Sequence, residues 1–228
     1  MPQNNPWEKE SLETITITKH VLSNLSVKVR TDQFNFFEKV FKINSNARVL
    51  DVGVTSDETL KDSNMFEKLY RYPEKLTVAT IENPKKFNKI YPKIEAIKIV
   101  PHDRLPFKDN YFDIVVSWAT LEHVGDLKDQ EFFLNEIMRV GKKVFLTTPY
   151  RGCIYEPHSG FFFVHWLPLS VYRYLCRVTN KKFWSFVKNL NPLYVRDIFK
   201  MKLIKRPRVV IYKMFNILPS HLIIYKTK

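Results

Sequence analysis

The stretch LDVGVTSD at positions 50 to 57 decides how the fold of this chain is interpreted. It starts like a buried strand and ends in a polar turn, which is typical of the first strand and ligand-binding turn of an open parallel sheet. Such turns usually hold several glycines, because glycine lets the backbone approach a ligand closely. Here the turn has only Gly53. The first question is therefore whether this turn is a working cofactor site or a relic.

Strand and helix patterns alternate on either side of this stretch, and the turn follows a strand over 48–52. Further strands are predicted over 76–81, 94–100, 112–117 and 143–148, and helices over 33–42, 55–69, 85–91 and 129–140. Ser56 or Asp57 is the predicted N-cap of the second of these helices. A helix over 192–201 and two strands over 208–212 and 222–225, linked through 218–220, complete the pattern. This order predicts an α/β, Rossmann-like, doubly wound and mostly parallel sheet.

The segment 150–190 fits no strand-helix unit and is rich in aromatic residues. We interpret it as a cap inserted after strand five of a single domain that spans 1–228, with 1–32 as an N-terminal extension. The rings of Tyr150, Phe161 and Trp166 are candidates for stacking on a sugar or covering a lipid. The alternative is that the cap forms its own small core or a homodimer contact.

The net charge of +14 is concentrated near the end of the chain, where residues 181–228 hold twelve basic residues and one acid. Nucleic acid, an anionic membrane face and a phosphate-bearing substrate are candidate partners, and a solubilising surface is the alternative. Nucleic acid is disfavoured, because zinc-finger spacings and interleaved arginine and aromatic residues are missing. Cys153 and Cys176 lack metal spacing, and no signal peptide or spanning segment is visible. The sequence thus predicts a cytoplasmic protein, with peripheral membrane contact as an alternative.

Polar residues follow three of the predicted strands, where a parallel sheet binds ligands. Gly53 would allow close backbone approach, Thr55 and Ser56 would supply hydroxyl donors, and Glu82 would accept both hydroxyls of a ribose. Asp51 and the pair Asp103-Arg104 have simpler interpretations, as a turn residue and as a surface ion pair.

The successive stretches VLDVGVTSD, LTVATIEN, LPFKDNYFDIVVSWATLEHV and VFLTTPY resemble the motifs of class I S-adenosylmethionine-dependent methyltransferases. The resemblance is strong over residues 33–150, and LPFKDNYFD…LEHV is typical of the small-molecule branch. Beyond 150, EPHSGFFFVHWLP, NLNPLYVRDIF and LPSHLIIYK are similar to bacterial methyltransferases found with polysaccharide and lipopolysaccharide synthesis genes. The resemblance implies a seven-stranded sheet with an antiparallel last strand.

The resemblance also implies that S-adenosylmethionine is the cofactor and S-adenosylhomocysteine the product. The implied cofactor-binding residues are Asp51, Gly53, Thr55 and Ser56 around the methionine and ribose, Glu82 on the ribose hydroxyls, Asp103 and Arg104 beside the adenine, and Ser117 at the edge of strand four.

Two histidines are candidates for a general base, because the unperturbed pKa of histidine lies near neutral pH. His123 follows strand four and His158 follows strand five, so both belong to one crevice. Glu156 would orient the ring of His158 or bind a sugar hydroxyl. His165 lies in an apolar run and is expected to be a packing residue. No metal ligands are predicted, and Asp126 and Asp129 are interpreted as helix-start residues.

The leading hypothesis is an O-methyltransferase that acts on a sugar hydroxyl in glycan or polysaccharide biosynthesis. The acceptor is a saccharide or glycan, and phosphate- and lipid-linked forms are included because Lys200, Lys202 and 205–208 offer positive charge. The first alternative is a methyltransferase for a lipid or quinone-like molecule. The second is a non-catalytic nucleic-acid or partner-binding protein with the same fold.

Overall fold

The structure is a computed structural model that describes residues 17–228, with side chains described from residue 23 onward. Its helices are α1 (Ile17–Phe41), α2 (Met65–Leu69), α3 (Pro84–Ile90), α4 (Leu127–Val140), α5 (Leu169–Val178) and α6 (Val195–Lys200). Its strands are β1 (Val49–Val52), β2 (Leu76–Thr80), β3 (Glu95–Lys98), β4 (Phe112–Trp118), β5 (Gly141–Pro149), β6 (Tyr155–Glu156), β7 (Phe161–Phe162), β8 (Arg208–Met214) and β9 (Leu218–Lys226).

Seven strands form one sheet in the order β3-β2-β1-β4-β5-β9-β8. The pairs between β3 and β5 are parallel, whereas β9 is antiparallel to both of its neighbours. The predicted α/β class and the antiparallel last strand are therefore confirmed. The order reverses direction between β1 and β4, which is where open sheets of this kind bind their ligands.

Apolar residues cover both faces of the sheet, because side chains alternate along a strand. On β1, Leu50 and Val52 pack in a core with α4, whereas Val49 packs in a second core with α1 and α3. In α4, Leu134, Ile137 and Met138 are buried at helical spacing. Asp126 is the N-cap of this helix and Asp129 completes a capping box, so both are helix-start residues as predicted.

The helix predicted over 55–69 is mostly wrong, since only Met65–Leu69 is helical. Side chains in 55–64 bond to nearby backbone groups and so compete with helical hydrogen bonds. The Asp57 amide donates to the Thr55 hydroxyl (3.0 Å), the Thr59 amide to the Asp57 carboxylate (2.8 Å), and the Asn64 side chain to the Thr55 carbonyl (2.8 Å). Neither Ser56 nor Asp57 is a helix N-cap. The segment is instead a loop at the end of β1 that is held by hydrogen bonds between its side chains and its backbone.

Other boundaries also differ from those predicted. The helix predicted over 33–42 is the C-terminal part of the longer α1, and residues 1–16 of the predicted N-terminal extension lie outside the described residues. The residues 218–220 belong to β9, and the turn lies at 215–217, where Phe215 and Asn216 have positive φ. Among the helices that the structure describes, none is both long and apolar enough to cross a bilayer.

Candidate active site

The crevice lies at the carboxyl ends of β1, β2, β4 and β5. Because β9 runs antiparallel to β5, the start of β9 meets the same edge, where His221 pairs with Pro149. The turn Leu121–His123 follows β4, and the segment 150–190 follows β5. The predicted histidines and the turn after β1 are thus brought to one side of the sheet.

Gly53 has a conformation and a close neighbour that exclude a side chain. Its φ is +102°, and an added Cβ would fall 2.8 Å from the Cβ of Thr120 and closer still to the hydroxyl and methyl of that residue. The Gly53 amide donates to the Ala79 carbonyl of β2 (2.9 Å). One glycine is therefore sufficient for this turn, because Thr55 and Ser56 fill positions where other turns use glycine.

Glu82 lies just beyond β2 and faces the turn after β1. Its carboxylate accepts hydrogen bonds from the Thr55 hydroxyl (3.0 Å) and the Ser56 amide (2.9 Å). Thr80 is buried and its hydroxyl donates to the Val54 carbonyl (2.9 Å), which ties the turn to β2. Of the residues predicted to bind the cofactor, the structure brings Gly53, Thr55, Ser56 and Glu82 together.

The other predicted cofactor residues have different surroundings. Asp51 is buried and accepts a hydrogen bond from the Glu67 carboxyl, and burial raises the pKa of Asp51 to about 6. Burial and the neighbouring Asp51 also raise the pKa of Glu67, so this pair retains a proton inside the fold. Ser117 is buried and donates to the Val52 carbonyl (2.7 Å), which joins β4 to β1. Asp51 and Ser117 are thus buried residues beneath the turn after β1.

Asp103 and Arg104 are exposed, and their recorded contacts are local or with α4. The Asp103 carboxylate accepts from the Arg104 amide (2.7 Å), and the Arg104 guanidinium lies 3.8 Å from Glu136. The sequence interpretation of a surface pair describes these contacts well, and their place beside the adenine stays a prediction.

Glu156 and His158 form a tight pair inside the cap. The His158 Nδ1 donates to the Glu156 carboxylate at 2.6 Å, and Glu156 also accepts from the amide and hydroxyl of Ser159 and from the Tyr172 hydroxyl. Burial would raise the pKa of Glu156, but His158 and Ser159 outweigh it and lower that pKa to about 2. Burial would likewise lower the pKa of His158, but the Glu156 charge raises it above its ordinary value. Glu156 therefore fixes the ring of His158, in the orienting role suggested for it.

His123 lies against this pair. The ring centroids of His123 and His158 are 4.8 Å apart, and Trp184 packs against His158 with centroids 5.0 Å apart. The His123 Nδ1 donates to the Asn189 carbonyl (2.7 Å), and burial lowers the pKa of the ring. The structure thus joins the two predicted histidines and adds Trp184, which the sequence did not distinguish from the other aromatic residues.

Glu122 is a site residue that the sequence analysis missed. It is fully buried, and one carboxylate oxygen, Oε2, accepts from the Thr148 hydroxyl at 2.8 Å. The other, Oε1, has no hydrogen-bond partner among the described residues and lies 3.7 Å from the His123 Nε2. The sequence offered no signal for this cluster, because His158 comes from a cap that folds back over the turn Leu121–His123.

The three aromatic residues predicted to bind substrate are dispersed over the cap. Phe161 packs on the small core formed by Tyr172, Cys176 and Leu190, which favours the interpretation of the cap as its own core. Trp166 is half exposed and its indole donates to the Cys153 carbonyl (2.6 Å). Tyr150 packs near Tyr194, with ring centroids 6.0 Å apart. His165 is buried, as expected for a packing residue.

Two charges of the basic segment that was considered for acceptor binding lie at the opposite edge of the sheet. The Lys205 ammonium donates to the Met138 carbonyl at the end of α4 (2.9 Å), close to the start of β5. Arg208 begins β8 and pairs with Tyr225 near the end of β9. Because the crevice lies at the other ends of these strands, Lys205 and Arg208 do not face it. A role of Lys200 and Lys202 in acceptor binding stays a prediction.

The residues around Gly53 fit the cofactor implied by the resemblance. Gly53 lets the Thr120 side chain pack directly against the turn, and the buried Ser56 hydroxyl has no hydrogen-bond partner in the described part of the chain. The Glu82 carboxylate at the end of β2 is an acceptor suited to ribose hydroxyls. These observations favour a working site over a relic.

Comparisons with known proteins agree with this geometry. A family model described as a methyltransferase domain matches residues 66–144. A comparison with curated proteins found no match.

Solved structures share the fold at low sequence identity. An S-adenosylmethionine-dependent methyltransferase from Methanosarcina mazei is 16% identical with a TM-score of 0.51, over 80% of this chain and 92% of that one. The PH0226 protein from Pyrococcus horikoshii is 16% identical with a TM-score of 0.54, over 88% and 91%. Residues 66–144 therefore match a methyltransferase domain, and the chain shares the fold of S-adenosylmethionine-dependent methyltransferases.

Proposed function

We propose that the protein is an O-methyltransferase that transfers a methyl group to a sugar hydroxyl in glycan or polysaccharide biosynthesis. The observation that carries the proposal is the pair Glu156–His158 beside His123, at the same edge of the sheet as the turn after β1. A hydroxyl acceptor needs a base, and an oriented histidine is suited to that task.

The cofactor is held in this proposal by the turn after β1 and by Glu82. Glu82 accepts the ribose hydroxyls in place of its present donors, Thr55 and Ser56. Gly53 allows the backbone to approach, and Thr120 closes the other side of the turn. When bound, S-adenosylmethionine supplies an electrophilic methyl group on its sulfonium.

His158 acts as the general base. Its Nδ1 donates to Glu156, so Nε2 carries the lone pair that takes the proton from the acceptor hydroxyl. The Glu156 carboxylate stabilises the imidazolium that forms, in the manner of the aspartate of a catalytic triad. The acceptor oxygen would then bond the methyl carbon while the carbon–sulfur bond breaks and its electron pair returns to sulfur, so that S-adenosylhomocysteine leaves. The proton stays on His158 until solvent removes it.

A sugar acceptor is supported by the mixture of polar and aromatic groups around His158. Trp184 packs against both histidines, and the two histidines and Glu122 are hydrogen-bonding groups suited to sugar hydroxyls. The similarity of residues beyond 150 to methyltransferases of polysaccharide synthesis supports the same class. A lipid or quinone-like acceptor is the second candidate, favoured by the exposed Phe162, Phe163 and Trp166 of the cap.

The test is transfer of a labelled methyl group from S-adenosylmethionine to a panel of nucleotide-linked sugars, lipid-linked saccharides and quinols. The variant His158→Gln should lower kcat by about 10²- to 10⁴-fold, the usual contribution of a general base. Its affinity for S-adenosylmethionine, measured by calorimetry, should stay within about threefold of wild type, because His158 is not among the cofactor residues.

The matched control is His102→Asn, which changes an exposed histidine with a contact to Asp129. It should leave both quantities unchanged. Wild-type kcat in His158→Gln would contradict the base assignment, and methylation of quinols alone would replace the sugar by the second candidate.

A further inference from the structure

We propose that Glu122, His123 and His158 form a binding site for one divalent transition-metal ion of the zinc class. One ligand atom from each residue lies within 4.8 Å of the others. Two of these residues come from the turn after β4 and the third from the cap, so the site exists only in the folded chain.

Both histidines have the hydrogen bonds that metal-binding histidines usually have. A ligating imidazole donates its other N–H to a carboxylate or a backbone carbonyl, which fixes the ring and its tautomer. The His158 Nδ1 donates to Glu156 (2.6 Å) and the His123 Nδ1 donates to the Asn189 carbonyl (2.7 Å). A carbonyl oxygen can only accept, so the lone pair of neutral His123 lies on Nε2. Each histidine therefore has Nε2 as its ligating nitrogen.

Glu122 supplies the anionic ligand. Its side chain is fully buried, and Oε1 has no hydrogen-bond partner among the residues described, although buried carboxylate oxygens are normally paired. This oxygen lies 3.7 Å from the His123 Nε2. A tetrahedral ion with bonds of about 2.1 Å separates its ligand atoms by about 3.4 Å. The Glu122–His123 distance of 3.7 Å is close to this value, and the ligand atoms, which lie within 4.8 Å of one another, would have to approach by at most about 1.4 Å.

Two histidines and one glutamate leave a coordination position open, as in catalytic zinc sites. The side chains of His123 and His158 are 19% and 18% exposed, so an ion bound by them would be partly accessible to solvent. An acceptor hydroxyl bound there would have a lowered pKa and would release its proton to solvent before its oxygen takes the methyl group. This consequence rests on the proposed function and makes His158 a ligand in place of the base, whereas ion binding itself does not depend on the acceptor.

The test is calorimetric titration of the full chain with Zn²⁺ after treatment with a chelator, supported by the visible absorption of a Co²⁺ complex. We expect one ion per chain. Glu122→Gln and His158→Gln should each weaken binding by at least about 100-fold. Glu156→Gln, which removes the negative charge beside His158 and also changes the bonds to Ser159 and Tyr172, should weaken it by about 10- to 100-fold. His102→Asn is the control and should bind the ion like wild type.

Circular dichroism and thermal unfolding of each variant establish that it is folded before its titration is interpreted. Absence of a one-to-one Zn²⁺ complex in wild type would overturn the inference, and so would equal affinity in folded Glu122→Gln. Methyl transfer with and without chelator separates the two proposals. Transfer that survives the chelator and needs His158 supports the base and contradicts a metal-dependent reaction, whereas ion binding without any methyl transfer retains the site and contradicts the proposed function.

Discussion

Replacing Gly53 by alanine tests whether the turn after β1 is built for close backbone approach. An L-residue at its φ of +102° is strained, which costs about 1 to 2 kcal/mol by analogy with left-handed backbone. The new Cβ would also push the Thr120 side chain off its rotamer, at a further cost of about 0.5 to 1.5 kcal/mol. The two terms sum to about 1.5 to 3.5 kcal/mol, and the middle of this range, about 2 to 3 kcal/mol, is the predicted cost.

This free energy can be measured as a loss of stability or as a loss of affinity for the cofactor. If the turn keeps its conformation, the free energy of unfolding falls by about 2 to 3 kcal/mol. If the turn relaxes, the fraction of chains competent to bind S-adenosylmethionine falls by roughly 30- to 150-fold, and the apparent Kd rises accordingly. Urea unfolding and calorimetric titration of the same variant measure both, and their sum is the predicted quantity.

Gly160→Ala is the matched control for this prediction. Gly160 also has a positive φ (+71°), but its added Cβ would lie 3.7 Å from the nearest side-chain atoms, of Tyr155 and Lys181. It should lose only the strain of about 1 to 2 kcal/mol and keep its affinity for the cofactor. The reasoning is refuted if Gly53→Ala changes stability by less than about 0.5 kcal/mol and leaves Kd within threefold of wild type.

Three further predictions concern two buried residues, Thr148 and Asp51, and the basic segment at the far edge of the sheet. Thr148→Val leaves the buried Oε2 of Glu122 without its donor and should cost about 2 to 3 kcal/mol, whereas Thr147→Val, where the hydroxyl has no partner, should change the urea midpoint little. Burial raises the pKa of Asp51 from 3.8 to about 6, so the folded state binds more protons than the unfolded state between these values. The contribution of Asp51 to stability should therefore fall by about 2 kcal/mol as the pH rises from 4 to 6, and Asp51→Asn should remove this part of the pH dependence of unfolding. Arg206→Gln combined with Arg208→Gln should leave kcat/KM for methyl transfer unchanged, because Arg208 begins β8 at the edge opposite the crevice, and a tenfold loss would return the basic segment to the acceptor site.

The sheet could be predicted from the sequence because its strands are short apolar runs separated by polar turns. The predicted strands over 76–81 and 112–117 begin where β2 and β4 begin and differ from them by one residue at the other end, and the strand predicted over 143–148 is shorter than β5 by two residues at the start and one at the end. The loop over 55–64 could not be predicted in the same way. Its conformation depends on hydrogen bonds between the backbone and the side chains of Thr55, Asp57 and Asn64, and on the hydrogen bond that the Thr55 hydroxyl donates to Glu82.

The candidate site was predictable where its residues are close in sequence or follow strands whose carboxyl ends share one edge of the sheet, as His123 and His158 do. Glu156 and His158 are two residues apart, so their pairing could be anticipated. Glu122 could not be linked to His158, because their proximity depends on how the cap folds, and the cap's aromatic residues have no periodic pattern. For the same reason the sequence favoured Tyr150, Phe161 and Trp166, whereas Trp184 is the ring that packs against His158.

The most direct test of the account is calorimetric titration of wild type and Glu82→Gln with S-adenosylmethionine, with the exposed Glu95→Gln as control. The account predicts one-to-one binding by wild type and by the control. Glu82→Gln should bind at least about tenfold more weakly, because hydrogen bonds to a charged group contribute about 1.5 to 3 kcal/mol. No binding by folded wild-type protein would mean that LDVGVTSD is a relic and would contradict the assignment of this edge as a cofactor site.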